Sequence, residues 1–191
     1  FEGKLAVDAE AKELLCVGNA SRGKMKVQLV ASEKEREKAT YRVAPDVAVL
    51  ERGTACEFEV FVTPHCTCTV KDELLVVARA GSGKTVTKRV RVEFETEVTT
   101  KLHYDDVVAE KQIGEGSFGV VFKGAFRGND VAIKKMKEVG ASPESLVEFA
   151  KEVDMLDKFR CDEIVHFYGA CFIPNHVMMV TEFAPCGSLA D

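Results

Sequence analysis

Three glycines at i, i+2 and i+5 stand in the run Ile113-Gly114-Glu115-Gly116-Ser117-Phe118-Gly119-Val120-Val121, with Val131-Ala132-Ile133-Lys134 following. This pattern constrains the chain more than any other. Glycines at that spacing let a backbone turn lie close over phosphates, where a Cβ would hold it away. Apolar residues on both sides predict a β-hairpin rather than a strand-to-helix turn. That separates the motif from a dinucleotide-binding crossover, whose glycines open a helix. An ordinary hairpin would explain the glycines alone, but not a spaced lysine and a carboxylate partner as well.

The partner follows. Residues 141–160 read as one helix, with Ser142 as N-cap, Pro143 at the first helical position and Glu144 in the first turn. Leu146, Phe149, Val153 and Leu156 recur at helical spacing and predict one apolar face. Glu152 lies on the flank of that face, where it can reach a lysine on a neighbouring strand. Two strands are expected around Phe167–Phe172 and Val177–Phe183, divided by a Pro174-Asn175 turn. The chain then runs Thr181-Glu182-Phe183-Ala184-Pro185-Cys186-Gly187-Ser188-Leu189 to Asp191.

With these residues in hand, the stretch from about Tyr104 to Asp191 resembles the N-terminal lobe of a protein kinase of the tyrosine-kinase-like group. The resemblance implies an α+β lobe, a five-stranded antiparallel sheet plus one helix. It implies that Gly114, Gly116 and Gly119 cover the phosphates of ATP, that Lys134 holds the α- and β-phosphates, and that Glu152 pairs with Lys134. Ile113, Val121 and Ala132 would line the adenine site. Thr181 matches the gatekeeper, and Glu182, Phe183 and Ala184 match the hinge. Mg²⁺ is implied as well, with ligands outside this stretch. The family's catalytic loop and D-F-G motif have no counterpart here. The chain therefore reads as part of a longer kinase that transfers the γ-phosphate of ATP to a serine or threonine of a protein substrate, with tyrosine left open. Taken by itself it is expected to be inactive and to self-associate through apolar surface near the hinge. The alternative is a pseudokinase or scaffold.

Residues 1–100 have another texture. Short runs at Lys4–Val7, Leu14–Val17, Lys26–Ala31, Thr40–Val43, Cys56–Thr63, Glu73–Ala80 and Thr85–Phe94 alternate with turn clusters. Such spacing predicts a mostly β antiparallel sandwich. The segments Tyr41–Pro45 and Cys56–Pro64 resemble an immunoglobulin-like sandwich of major-sperm-protein type, and the combination resembles amoebal kinases. The division expected is thus 1–100 and 101–191. The sandwich would bind the kinase lobe or another protein, and it is expected to pack on the lobe through a short linker near Glu97–Lys101, where the run to Leu102 reads as extended chain. The charged run Ser32–Lys38 reads as a solvated loop.

One motif is a decoy. Ala80-Gly81-Ser82-Gly83-Lys84-Thr85 looks like the end of a P-loop, but Ala78 occupies the position of the required first glycine and a strand pattern follows. A β-turn is the reading.

Composition limits the partners. Hydrophobic residues make up 46% and charged residues 30%, which suits a globular chain with a core. A net charge of −5 gives no argument for nucleic acid. No apolar run approaches the length of a spanning helix, and the first residues are not a signal peptide. The expectation is a cytoplasmic protein, or the intracellular part of a membrane-anchored kinase. Seven cysteines, most in strand-like apolar settings, read as free thiols. His65-Cys66-Thr67-Cys68 lacks a second ligand pair, so no metal site is expected. His103, His166 and His176 read as surface or core residues.

Overall fold

Period-two burial governs both halves of the chain. The computed structural model describes residues 1–31, 35–116, 119–137, 143–159, 161 and 163–187. It divides into two units, Phe1–Val98 and Thr99–Asp191. The expected helix cap Ser142, the loop-tip residues Ser117 and Phe118, the first part of the charged run at 32–34, and Leu189 lie outside the described residues.

Among the described residues the first unit holds eight strands: β1 (Lys4–Leu5), β2 (Ala11–Gly18), β3 (Met25–Ala31), β4 (Ala39–Ala44), β5 (Val47–Leu50), β6 (Ala55–Pro64), β7 (Thr69–Ala80) and β8 (Thr85–Thr96). They form one sheet in the order β1-β8-β7-β3-β5 and a second in the order β2-β6-β4. Alternation along β6 sends Phe58, Val60 and Val62 inward, where they meet Val27 and Leu29 of β3, Val70, Leu74 and Val76 of β7, and Val92 and Phe94 of β8. One core therefore draws on both sheets. The loop after β2 is pinned by buried Asn19, whose side-chain amide donates to the carbonyls of Gly23 and Leu50 at 2.8 and 2.9 Å. The strand β5 was not among the sequence expectations; its four residues are too few to show a period. At the β7–β8 turn the amide of Gly83 donates to Ala80 and its φ is +85°. No helix follows, so the P-loop-like run is a hairpin turn.

The second unit starts with a short 3-10 turn, Tyr104–Asp106. It then forms β9 (Val107–Glu115), β10 (Gly119–Phe126), β11 (Asn129–Met136), helix α1 (Pro143–Lys158), β12 (Phe167–Cys171) and β13 (Met178–Glu182). The five strands pair antiparallel in the order β12-β13-β11-β10-β9. One sheet face buries Val131, Ile133, Met178 and Val180 with Phe126 and Leu102. On the other, Phe149 and Val153 of α1 pack against Phe167, Ala170 and Met179. Burying a Phe or Val side chain is worth about 1.5–3 kcal/mol, so this contact holds the helix. Leu156 is partly buried at the same interface. Leu146 departs from the expected stripe and is 38% exposed, because the stripe's first turn extends past the strands that cover it.

Residues ahead of the 3-10 turn add a sixth, parallel edge to this sheet. The amide of Leu102 donates to Ala170 and the amide of Ala170 to Thr100, each at 2.8 Å. Gly169 makes the approach possible: its φ is +151°, and a Cβ there would lie 2.3 Å from the Thr100 carbonyl oxygen. The Tyr104 ring is stacked between His103 and His176, at centroid distances of 4.3 and 3.8 Å. Both histidines thus serve packing. No helix among the described residues is long and apolar enough to cross a membrane.

Candidate functional site

Strand register gathers the predicted residues. Lys134 on β11 lies opposite Val121 of β10 and Met179 of β13, while Ala132 lies opposite Lys123 and Thr181. Because side chains alternate across a strand, Val121, Ala132, Lys134 and Thr181 share one face. It is the face on which α1 packs, so a carboxylate from the helix can meet the lysine. It does: the Lys134 ammonium donates to both carboxylate oxygens of Glu152 at 2.8 Å. The two side chains are 31% and 44% exposed. A pair that open to solvent adds only about 0–1 kcal/mol to stability. Its consequence is positional: it fixes an ammonium on the sheet face below the glycine turn.

That turn joins β9 to β10. Gly114 lies opposite Val121, and the amide of Gly116 donates to the Gly119 carbonyl at 2.9 Å. Gly119 is buried against β11; a Cβ would stand 2.3 Å from the Lys135 carbonyl oxygen. Ile113 precedes the turn and is 46% exposed. On the far side of the face, β13 ends at Glu182. Its amide donates to His166 at 2.8 Å, and its carboxylate accepts from the His166 amide at 3.2 Å. The Thr181 hydroxyl donates to the Glu182 carbonyl at 3.4 Å. Phe183 donates its amide to Asp130 at 3.4 Å, and Ala184 accepts from Gly187 at the same distance.

Beside the ion pair is a cavity of about 80 Å³ lined by Lys134, Met136, Ser145, Glu148, Phe149 and Glu152. Pockets for small molecules span roughly 300–1,000 Å³, so this space is an annex of the site and not a nucleotide cavity. A ligand reaching from Lys134 toward Thr181 would lie across the open sheet face.

Four charged residues outside the expected site set form two ion pairs. Lys123 donates to Asp130 at 2.9 Å, which holds its ammonium pKa above the ordinary lysine value, and it sits 5.0 Å from the Phe183 ring centre. Lys137 pairs with Glu115 at 2.6 Å. That hydrogen bond and its charge pull the Glu115 carboxyl below the usual range. Alternation alone points to Lys123, two residues past Val121. Nothing local points to the Lys137–Glu115 contact.

The second unit thus brings together a glycine turn, a sheet-borne lysine and a helix-borne glutamate that contacts the lysine through both carboxylate oxygens. Residues 107–191 match the family of protein tyrosine and serine/threonine kinases. The chain is 40% identical over 90 residues, 47% of its length, to a protein of Acanthamoeba polyphaga mimivirus that carries the name serine/threonine-protein kinase/receptor, of which 6% is covered. It is 41% identical over 80 residues, 42% of its length, to a dual specificity protein kinase of Dictyostelium discoideum, covering 12% of that protein. The same identity over 80 residues relates it to a serine/threonine-protein kinase of Arabidopsis thaliana, 14% of which is covered. The chain thus spans a small part of each relative.

Proposed function

We propose that the second unit is the nucleotide-binding lobe of a serine/threonine-directed protein kinase of the tyrosine-kinase-like group, in which Gly114, Gly116 and Gly119 cover the phosphates of ATP and Lys134 holds them. The single observation that carries this reading is the bidentate Lys134–Glu152 contact, placed on the same face as Val121, Ala132 and Thr181. Glu152 orients the ammonium, and the ammonium offsets the charge of the α- and β-phosphates. Val121, Ala132 and Ile113 supply apolar contact for the base, and the backbone of Glu182, Phe183 and Ala184 its polar edge. The whole protein would transfer the γ-phosphate to a protein hydroxyl. In such reactions catalysis is mostly positioning and charge stabilisation. The first unit, with its two sheets around one core, suits an immunoglobulin-like interaction module that docks a protein partner. Among the described residues no three His, Cys, Asp or Glu side chains gather to hold a metal.

The test is Lys134→Met. It should weaken binding of a fluorescent ATP analogue to the chain, and in the whole protein it should lower phosphotransfer by about 10²–10³-fold, the scale of losing one preorganised charge. Thermal unfolding should change little, since the pair is half in water. Equal turnover and affinity in mutant and wild type would sink the assignment.

A further inference from the structure

The sheet face that carries Lys134 carries a second lysine nearer its other end. Asp130, Ala132 and Lys134 are alternate residues of β11, so they line one face in steps of about 6.6 Å. Lys123 of β10 lies directly opposite Ala132, as Val121 lies opposite Lys134, so Lys123 is on that face as well. Lys134 is held by Glu152 at the end nearer the glycine turn. Lys123 stands one step away, toward the place where the chain leaves β13 beside Val131.

There Lys123 closes a contact of three residues. Its ammonium donates to the Asp130 carboxylate at 2.9 Å and stands 5.0 Å from the centre of the Phe183 ring, within cation–π range. Asp130 in turn accepts the Phe183 amide on its main-chain carbonyl at 3.4 Å. One residue of β11 thus holds the lysine through its side chain and the chain leaving β13 through its backbone. As an ion pair alone this contact would do little, since the two side chains are 33% and 68% exposed. The aromatic member is what distinguishes it. The pairing of β13 with β11 stops at Glu182. The next residue is kept in place by an amide bond that is long for its kind and by the ring's contact with Lys123. Phe183 belongs to residues 182–184, whose backbone is assigned above to the polar edge of the base.

We propose that Lys123 is a positioning residue for the base of the bound nucleotide: paired with Asp130, it is set against the Phe183 ring and so fixes the backbone of residues 182–184 at the base end of the face, as Glu152 fixes Lys134 at the phosphate end. This deepens the reading under Proposed function and rests on it for the ligand, while the tie between Lys123 and Phe183 rests on the contacts alone. The bond to Asp130 holds the Lys123 ammonium above the ordinary lysine pKa, so the residue is charged throughout the neutral range.

The experiment compares the wild-type chain with Lys123→Met, Lys123→Arg, Phe183→Leu and the double variant Lys123→Met/Phe183→Leu. Amide hydrogen exchange at Phe183, without ligand, reads the tie. Two probes then separate base from phosphate: a fluorescent ATP analogue, and inorganic tripolyphosphate, which carries the charge without a base. Lys123→Met should speed Phe183 exchange several-fold and weaken the analogue about three- to tenfold, the combined scale of one exposed cation–π contact and one exposed ion pair. Its affinity for tripolyphosphate should match the wild type, because Lys134 holds that end. Lys134→Met, by contrast, should weaken both probes. Lys123→Arg should keep exchange and analogue affinity near the wild-type values, since a guanidinium both pairs with a carboxylate and stacks on a ring. Phe183→Leu should behave as Lys123→Met does, and the double variant should add little to either. Equal loss of both probes in Lys123→Met would show a lysine that merely attracts anions, and would overturn the proposal. Unchanged Phe183 exchange, or fully additive effects in the double variant, would overturn it as well. If the wild-type chain bound neither probe while Lys123→Met still freed the Phe183 amide, the tie would stand, and the nucleotide reading would fall together with the role in placing the base. Both side chains lie outside the buried clusters of the second unit, so these variants should fold.

Discussion

Replacing Gly169 by alanine should detach the segment Thr99–Leu102 from the sheet of the second unit. The new Cβ would lie 2.3 Å from the Thr100 carbonyl oxygen and 2.8 Å from the Leu102 Cγ. The first neighbour is backbone, so it cannot swing aside as a flexible side chain can. The glycine's φ of +151° also lies where an L-residue is strained, at about 1–3 kcal/mol. The chain has two responses. It can keep the segment docked and bear the clash and the strain together. Or it can release the segment, losing the two 2.8 Å backbone bonds of Ala170 and uncovering Leu102, which is 2% exposed. Two hydrogen bonds are worth roughly 0.5–1.5 kcal/mol each. Burial of the leucine adds about 1.5–3 kcal/mol. Release therefore costs about 2.5–6 kcal/mol, and the cheaper response sets the loss, near 3–4 kcal/mol.

Urea unfolding of the chain, with amide exchange at Leu102 and Ala170, measures both the size and the route. Gly169→Ala should lower the stability of the second unit by that amount and expose both amides. Leu102→Ala alone should cost about 2–5 kcal/mol, as large-to-small core changes do. Combined with Gly169→Ala it should add little, since the leucine is already undocked. A loss below about 1 kcal/mol, or fully additive double-mutant behaviour with both amides still protected, would refute the argument that Gly169 is what lets this segment join the sheet.

Other outcomes follow from single residues. Phe58→Ala should cost the first unit about 3–5 kcal/mol in urea unfolding, because the ring is fully buried where the two sheets meet. Tyr41 should make that unit sensitive to alkali: burial, then the nearby Asp72 charge, holds its phenol far above the ordinary value near 10. A phenol that ionises only in the unfolded chain contributes stability below about pH 10 and loses it as pH rises further; Tyr41→Phe should flatten that alkaline loss. Its buried hydroxyl has no hydrogen-bond partner among the described residues, so the same substitution should be neutral or stabilising at pH 7.

What could be read in the residues, and what could not, divides along the range of the contacts involved. Lys134 and Glu152 were legible because a motif fixed the lysine and a helical period fixed the glutamate's side; only their meeting required the fold. Val121, Ala132 and Thr181 were legible as separate strand residues, and alternation then obliged them to share a face once the register was known. The helix stripe was read one turn too long. Periodicity says which residues point the same way, but not where the covering surface ends, and Leu146 lies beyond it. The strand Val47–Leu50 carried no alternation to detect, and its identity comes from Met25–Gln28 lying beside it. The extended reading of Glu97–Leu102 lacked its partner for the same reason. Gly169, some seventy positions along, decides that Thr100 and Leu102 find an edge to bind. Lys137 and Glu115 show the limit most plainly. Between them the chain makes a turn, a full strand, a hairpin and another strand, and each link was in view. Yet a side chain just past one strand's end meets the tip of another only through the summed twist and stagger of three strands, which no local pattern of residue types encodes.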